Sequence, residues 1–388
     1  MNNTWKIYML TLISFFVGTS QFGIVGMLDK IADSVGVSVP TAGQLVTVFA
    51  LGNAIGTPFV MVATAKMSQR KQLLLALSII LLGIISTLVL PGFGLLMASR
   101  VLLGVGTGVF VVTAYAIAAK LAAPGKQGGA MANVAMGFSS SLVFGVPIGR
   151  VIAESYDWKM IFWIIGILSL IAVFVVVRTI PEMEGEGAIS LSNRFAILKN
   201  PLLAVTLCVT FFVFIGFSIV DTYITPYLTA IMPTAKHEIS VILFAMGIAS
   251  VIGSKFGGLL ADRIGTFRTL ISSLIIQVLA LGLLSLGSGW IIVTVMLLMV
   301  WVVACWMFGP TQNFNLVSLV PEASGIVLSL NSSFVQLGFA AGAGIGGIAV
   351  GSISIMAITW ISALSVVCAA VLFIFTRSFS QAGQLIDR

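Results

Sequence analysis

The chain has 388 residues, of which 59% are hydrophobic and only 8% carry a charged side chain. A soluble domain carries about 25% charged residues because its surface faces water, so this composition excludes a soluble globular protein and indicates an integral membrane protein. The formal net charge of +7 does not indicate nucleic-acid binding, because the basic residues lie in short loops between apolar segments and form no basic stripe.

Twelve apolar segments are long enough to cross a bilayer as helices, which requires about 20 residues. The first six are predicted at residues 7–28, 41–65, 72–90, 94–119, 129–153 and 159–180. The second six are predicted at residues 201–226, 239–260, 268–287, 290–311, 325–349 and 354–376. Residues 181–200 form the longest polar stretch, so we predict a cytoplasmic linker there, between an N-terminal half (1–180) and a C-terminal half (201–388).

The distribution of Lys and Arg predicts the orientation of the chain. If the N-terminus is cytoplasmic, most of the 19 basic residues lie in cytoplasmic loops, which is the bias that orients membrane proteins. We therefore predict that both termini are cytoplasmic and that the protein is a multi-pass component of a bacterial plasma (inner) membrane.

Two blocks of sequence occur twice. The segment Gly257–Arg268 closes one apolar helix, and a diverged copy, Ala65–Lys71, closes another about half a chain length earlier. A second set of small residues recurs at one constant offset: Ser139, Ser140, Gly145 and Gly149 correspond to Ser332, Ser333, Gly338 and Gly342. Matching blocks in matching helices predict two parallel six-helix repeats, an architecture common among secondary transporters.

On these residues the chain resembles the major facilitator superfamily, and more narrowly its twelve-helix drug:proton antiporter branch. Gly258–Arg268 is similar to the family's loop motif G-x-L-x-D-R-x-G-x-x-R. The resemblance implies a cytoplasmic latch in which Asp262 pairs with Arg and with helix ends; the alternative is a solvated basic loop that only sets topology. The gating residues implied by the motif are Gly258, Asp262, Arg263, Gly265 and Arg268.

The fourth span contains a segment, Arg100–Gly108, that resembles the family motif R-x-x-x-G-x-G-x-G. An arginine inside a span is costly unless it faces a cavity or a partner, so it is a functional candidate. By helical rise, Arg100 and Gln21 of the first span lie at a similar depth, about 10 Å below the outer ends of their helices. The alternative is a structural Arg100 that satisfies backbone carbonyls between the first and fourth spans.

The fifth span contains Gly145-Val-Pro147-Ile-Gly149-Arg150, which resembles the antiporter motif of that helix without its usual Gly-Pro pair and double glycine. Gly145 and Gly149 allow close approach of the fifth and eighth helices, and Pro147 bends the span. This variant resembles arabinose, sugar and purine efflux permeases more than the best-known multidrug pumps. Many relatives carry Glu in place of Gln21 and Pro in place of Asp29.

Proton antiport requires a carboxylate that is alternately dry and wet. Asp221 lies towards the outer end of the seventh span, beside Tyr223 and ahead of Pro226, and is the main candidate; the alternative is an interfacial capping residue. Asp29 and Asp33 are expected to be solvated at the outer mouth. The eleventh span offers Asn331 and Gln336, which either bond a neighbouring helix or line a polar path.

We therefore predict an all-α integral membrane protein of the major facilitator fold that exports a small organic solute by proton antiport and alternating access, binding it midway between the two halves. The absence of Glu at Gln21 favours neutral solutes, such as nucleosides or sugars, over cations. The alternatives are a sugar or purine/nucleoside facilitator or exporter without proton coupling, and a multidrug efflux pump.

The chain contains no Gly-x4-Gly-Lys-Ser/Thr loop for ATP, and we predict no enzyme activity, no cofactor, no metal and no nucleic-acid partner. The expected partners are solute, protons and membrane lipid, and the expected state is a monomer.

Overall fold

The computed structural model describes residues 3–123, 127–183, 199–232, 238–286, 291–320 and 324–386, without the side chains of residues 127–129, 324–326 and 376–386. Helices of the N-terminal part are α1 (Thr4–Gly26), α2 (Leu28–Val35), α3 (Val39–Leu51), α4 (Thr57–Ala63), α5 (Gln69–Val89), α6 (Phe93–Leu121), α7 (Gln127–Ser140), α8 (Val146–Ser155) and α9 (Lys159–Thr179). Helices of the C-terminal part are α10 (Pro201–Thr222), α11 (Ile224–Ile231), α12 (Glu238–Ile264), α13 (Thr266–Ser285), α14 (Ile291–Leu319), α15 (Ser324–Ser352) and α16 (Ala357–Ile386).

Twelve helical segments in the described residues are long and apolar enough to cross a membrane, so the predicted number of spans is confirmed. Two of these spans are composite, since α3 continues into α4 and α7 into α8. The outer face of α9 illustrates the lipid-facing surface: Trp163, Ile167, Leu170 and Phe174 follow the helical spacing and are all exposed. Large apolar side chains on one exposed stripe are stable only when that stripe faces hydrocarbon.

The chain divides into two compact units. The first contains Met1–Ala188 and His237–Phe244, and the second contains Ile189–Lys236 and Ala245–Arg388. The predicted linker at residues 181–200 falls mostly outside the described residues, so the predicted domain boundaries stay a prediction.

The first span of each unit is broken at an equivalent position. In the first unit α1 ends at Gly26, Met27 has non-helical angles (φ −131°, ψ 22°), and α2 follows. In the second unit α10 ends at Thr222, Tyr223 is non-helical (φ −106°, ψ 16°), and α11 follows. Each short second helix has 8 residues, so the break is part of the repeat.

Two spans of the first unit contain a short π-helical turn just ahead of a proline. These wide turns cover Gly52–Gly56 in the second span and Ser141–Gly145 in the fifth. Pro58 and Pro147 come two residues later, in the first turn of α4 and of α8. Proline has no N–H and its ring crowds the carbonyl four residues earlier, so a wider turn relieves the clash.

Glycines in the matching spans of the two units make the same kind of contact. A Cβ atom at Gly52 would lie 2.7 Å from the carbonyl oxygen of Val101 in α6, and a Cβ atom at Gly253 in α12 would collide with the carbonyl oxygen of Val303 in α14. The backbones of these helix pairs therefore approach more closely than any other residue allows. The repeat predicted from the sequence thus extends to helix packing.

Candidate functional site

Arg100 lies in α6 and is completely buried in the first unit. Its Nη1 donates a hydrogen bond of 3.1 Å to the carbonyl oxygen of Ser20 in α1. The guanidinium carbon lies 4.6 Å from the centre of the Phe162 ring of α9. Nε and Nη2 have no hydrogen-bond partner among the described residues. The side chain therefore joins three helices while one edge of the guanidinium stays unpaired.

Gln21 follows Ser20 in α1, so the predicted similarity in depth of Gln21 and Arg100 agrees with their positions. Gln21 is half-buried, and its Oε1 is buried without a partner among the described residues. An unpaired buried polar atom costs about 1–3 kcal/mol. Both groups are therefore of the kind that a bound polar molecule stabilises.

A second buried arginine of the first unit is fully paired. Arg150 in α8 donates from Nη1 to Oδ1 of Asp29 at 2.5 Å and from Nε to Oε1 of Glu154 at 2.7 Å. Asp29 belongs to α2, so this ion triad connects α2 to α8. The expectation that Asp29 is a solvated carboxylate is therefore wrong, because its side chain is only 20% exposed and carries an ion pair. Asp33 is exposed, as expected.

Asp221 is the second-last residue of α10, immediately ahead of the break at Tyr223. Its side chain is half-buried, and among the described residues it makes no hydrogen bond or ion pair. In the same unit, the thiol of Cys305 in α14 donates a hydrogen bond of 3.2 Å to Oε1 of Gln277.

Tyr223 has a different environment from Asp221 although the two are close in sequence. Its side chain is fully buried, and its hydroxyl donates a hydrogen bond of 3.0 Å to the carbonyl oxygen of Ala343 in α15. The residue therefore fixes the helix break against a neighbouring helix.

One helical turn before Asp221, Phe217 lies at the centre of an aromatic cluster of the second unit. Its ring stacks on Trp301 with centroids 5.5 Å apart and an interplanar angle of 20°. Edge-on contacts at 6.2 Å and 5.7 Å join it to Trp306 and Phe339. The sequence contains 26 Phe residues, so it offers no signal that singles out Phe217 and Phe339.

Asn331 is buried in a network of neutral polar side chains. Its Oδ1 accepts a bond of 2.8 Å from Thr210 of α10, and its Nδ2 donates a bond of 2.8 Å to Oδ1 of Asn313 in α14. Gln312 adds bonds to the Thr206 carbonyl and to Oγ1 of Thr210. Asn331 thus cross-links three helices. Gln336, one and a half turns later in α15, is half-buried and has no hydrogen-bond partner among the described residues. Of the two amides predicted from the sequence, only Asn331 therefore bonds to neighbouring helices.

The loop motif between α12 and α13 is largely exposed. Asp262, Arg263 and Arg268 have exposed side chains, and Gly265 has a positive φ of 85°, which ends α12. Asp262, Arg263 and Arg268 form no ion pair with another described residue. The latch predicted from Asp262 and Arg268 stays a prediction.

The fifth-span motif packs against α1 within the first unit. A Cβ atom at Gly145 would collide with the side chain of Thr19, and one at Gly149 would lie 3.2 Å from Cδ1 of Ile161. Pro147 lies in the first turn of α8. Among the described residues, no three His, Cys, Asp or Glu side chains lie close enough to hold a metal ion.

Comparison with known proteins agrees with this architecture. The family model of the Major Facilitator Superfamily matches residues 10–323 and, in a second match, residues 206–386. The chain is 44% identical over 384 residues to the uncharacterized MFS-type transporter YbcL of Bacillus subtilis, covering 98% of both chains. It is 27% identical over 352 residues to the inner membrane transport protein YdhP of Escherichia coli K12, covering 89% of both.

Solved structures with the same fold are more distant in sequence. The nucleoside transporter NupG superposes with a TM-score of 0.75 at 15% identity, covering 97% of this chain and 99% of NupG. A bacterial homologue of the human lysosomal transporter Spinster, in an inward-facing and occupied conformation, gives a TM-score of 0.78 at 14% identity, covering 97% of both chains.

The twelve spans and the family match define a multi-pass membrane transporter, and the relatives are named as transporters, which are not enzymes. The chain belongs to the Major Facilitator Superfamily.

Proposed function

We propose that the protein exports a small organic solute from a bacterial cell in exchange for protons, by alternating access. The observation that carries this proposal is the carboxylate of Asp221, which lies inside a span, is half-buried, and has no cationic or hydrogen-bonding partner among the described residues.

The surroundings of Asp221 support a role in proton coupling. A carboxylate without a partner inside an apolar span is stable when protonated, and its charged form needs water or a cation. Binding and release of one proton would therefore change the polarity of this part of α10. In the proposed cycle, protonation of Asp221 weakens solute binding and release of the solute permits protonation.

The same side chains support an uncharged or negatively charged solute over a lipophilic cation. In the first unit the polar side chains at this depth of α1 include the buried Arg100 and the half-buried, neutral Gln21. A cation would be repelled by Arg100, since like charges in a low-dielectric environment cost several kcal/mol. A multidrug pump for cations is thus the less favoured alternative.

Proton flux in liposomes tests this function directly. The purified protein is reconstituted with a pH-sensitive dye inside the vesicles, a pH gradient is imposed, and candidate nucleosides, sugars and lipophilic cations are added singly. We expect one solute class to trigger proton flux in the wild type and not in Asp221→Asn. Asp33→Asn is the matched control, because Asp33 is an exposed acid of the first unit, and it should retain the flux.

Two results would overturn the proposal. Solute movement without proton flux would leave a facilitator in place of an antiporter. Proton flux that persists in Asp221→Asn would place the coupling group elsewhere.

We further propose the predicted topology and assembly for this protein. The Lys and Arg distribution supports a cytoplasmic location for both termini, and the exposed charges of Asp262, Arg263 and Arg268 are available to hold the cytoplasmic side closed. The working unit in this proposal is a monomer.

A further inference from the structure

The unpaired atoms of Arg100 form one particular edge of its guanidinium group. Nε and Nη2 lie side by side, and their N–H groups point in the same direction. Both lack a partner among the described residues, whereas Nη1 is bonded to the Ser20 carbonyl. Two parallel donors on a planar cation are the arrangement that binds the two oxygens of a carboxylate or phosphate.

This edge is held in a fixed orientation. The Ser20 carbonyl fixes Nη1, and the Phe162 ring lies 4.6 Å from the guanidinium carbon. A donor pair whose direction is already fixed loses less conformational freedom when it binds a ligand. Since Arg100 is fully buried here, a ligand reaches this edge only in a conformation that opens the first unit to one side of the membrane.

Among the described residues, Arg100 forms no ion pair with a carboxylate, and Glu238, which also belongs to this unit, is exposed. Arg150 takes both Asp29 and Glu154, and Asp33 is exposed on α2. Gln21, which follows the bonded Ser20, is a neutral amide. A buried cation without an anion is unstable by several kcal/mol, so an anion that arrives at this edge is bound strongly.

We infer that Arg100 is the anchor of an oxyanion-binding site, and that the solute carries a carboxylate or a phosphate-like group that pairs with Nε and Nη2. The inference rests on the proposed function and narrows its solute to organic anions. The shared chemistry is a planar or tetrahedral group with two acceptor oxygens and at least one negative charge.

Binding to the purified protein in detergent, without a proton gradient, tests the inference. Benzoate, benzamide and benzamidine have nearly the same shape and are anionic, neutral and cationic, so they separate charge from fit. Phenylphosphonate replaces the carboxylate by a phosphate-like group. Dissociation constants are measured by calorimetry for the wild type, Arg100→Lys, Gln21→Glu and Arg178→Lys.

Each variant changes one property of the site. Arg100→Lys keeps the charge but removes the paired donors. Gln21→Glu introduces a carboxylate on the residue that follows the bonded Ser20, where it would compete with an anionic ligand. Arg178→Lys is the matched control, because Arg178 also lies over a phenyl ring, that of Phe174 at 5.2 Å, but is exposed at the end of α9.

We expect the wild type to bind benzoate or phenylphosphonate and to discriminate against benzamide and benzamidine; the tighter of the two anions identifies the oxyanion class. Binding should weaken about 10- to 100-fold in Arg100→Lys, as for the loss of a charge-assisted hydrogen bond. Gln21→Glu should weaken binding to a similar degree and raise the thermal stability of the ligand-free protein. Arg178→Lys should bind as the wild type does.

Benzamide binding as tight as benzoate, or neither anion binding to the wild type, would overturn the inference. So would unchanged anion affinity in Gln21→Glu, which decides the question even if Arg100→Lys does not fold. The liposome assay is independent of these binding measurements. Anion binding without solute-dependent proton flux would refute the proposed antiport and leave the anion site intact. Proton flux driven by an uncharged solute, without anion binding, would refute the anion site and leave antiport intact.

Discussion

The ion triad of the first unit allows a prediction about stability. Arg150 makes two charged hydrogen bonds, at 2.5 Å to Asp29 and 2.7 Å to Glu154, and its side chain is only 2% exposed. Replacement of Arg150 by Met fills similar volume but removes both bonds. Both carboxylates then lose their cation.

The magnitude follows from the burial of the three groups. Breaking a buried ion pair by removing one partner costs about 3–5 kcal/mol. The carboxylates are 20% and 18% exposed, so water reaches them and the lower end of that range applies. We therefore expect Arg150→Met to lower the free energy of unfolding by about 3 kcal/mol, and Asp29→Asn in the wild type to lower it by about 2 kcal/mol.

A double-mutant cycle gives the decisive measurement. Equilibrium unfolding in mixed detergent micelles is followed for the wild type, Arg150→Met, Asp29→Asn and the double variant. In the Arg150→Met background, Asp29→Asn should cost nothing or increase stability, because it removes one of two unpaired carboxylates. Arg178→Met, at an exposed arginine, should change stability by less than about 0.5 kcal/mol. Additive costs of the two substitutions would refute the assigned coupling.

Three further predictions concern the same free energy of unfolding. Gly137→Ala should cost about 1–3 kcal/mol, because its Cβ would overlap the backbone carbonyl of Thr11 in α1; unchanged stability would show that the helices separate freely. Gly265→Ala should cost about 1–3 kcal/mol, because φ at this residue is 85° and alanine rarely adopts that conformation. Gly258→Ala should instead gain up to about 1 kcal/mol of helix propensity, because no atom lies within 4 Å of a Cβ atom at this position. Equal effects of the two substitutions would contradict the argument from backbone conformation. Asn331→Ala should cost about 0.6–2 kcal/mol by breaking its bonds to Thr210 and Asn313, and an unaltered protein would show that water replaces both bonds.

The sequence predicts the spans well because apolar length alone determines them, but it underestimates where α14 ends. The predicted tenth span stops at residue 311, whereas α14 continues to Leu319. The added segment begins with the polar residues Gln312 and Asn313. In the structure these amides bond to α10 and α15, so tertiary hydrogen bonds keep the polar segment helical.

The position of Arg100 was predictable and the pairing of Arg150 was not. Arg100 and Gln21 lie in spans whose ends fix their depth, and the bond from Arg100 to Ser20 agrees with that estimate. Asp29 and Arg150 are charged residues near helix ends, where solvation is the usual outcome. Only the tertiary arrangement of α2 and α8 shows that they form an ion pair, and no local sequence pattern encodes that proximity.

The two π-helical turns have a consequence for how the units deform. A wide turn interrupts the regular ladder of backbone hydrogen bonds, so the helix bends there at low energetic cost. The first unit has such points in two spans, at Gly52–Gly56 and Ser141–Gly145. The corresponding α12 and α15 of the second unit are continuous α-helices. The duplicated units are therefore mechanically unequal: the first contains internal hinges, whereas these two spans of the second behave as stiff rods.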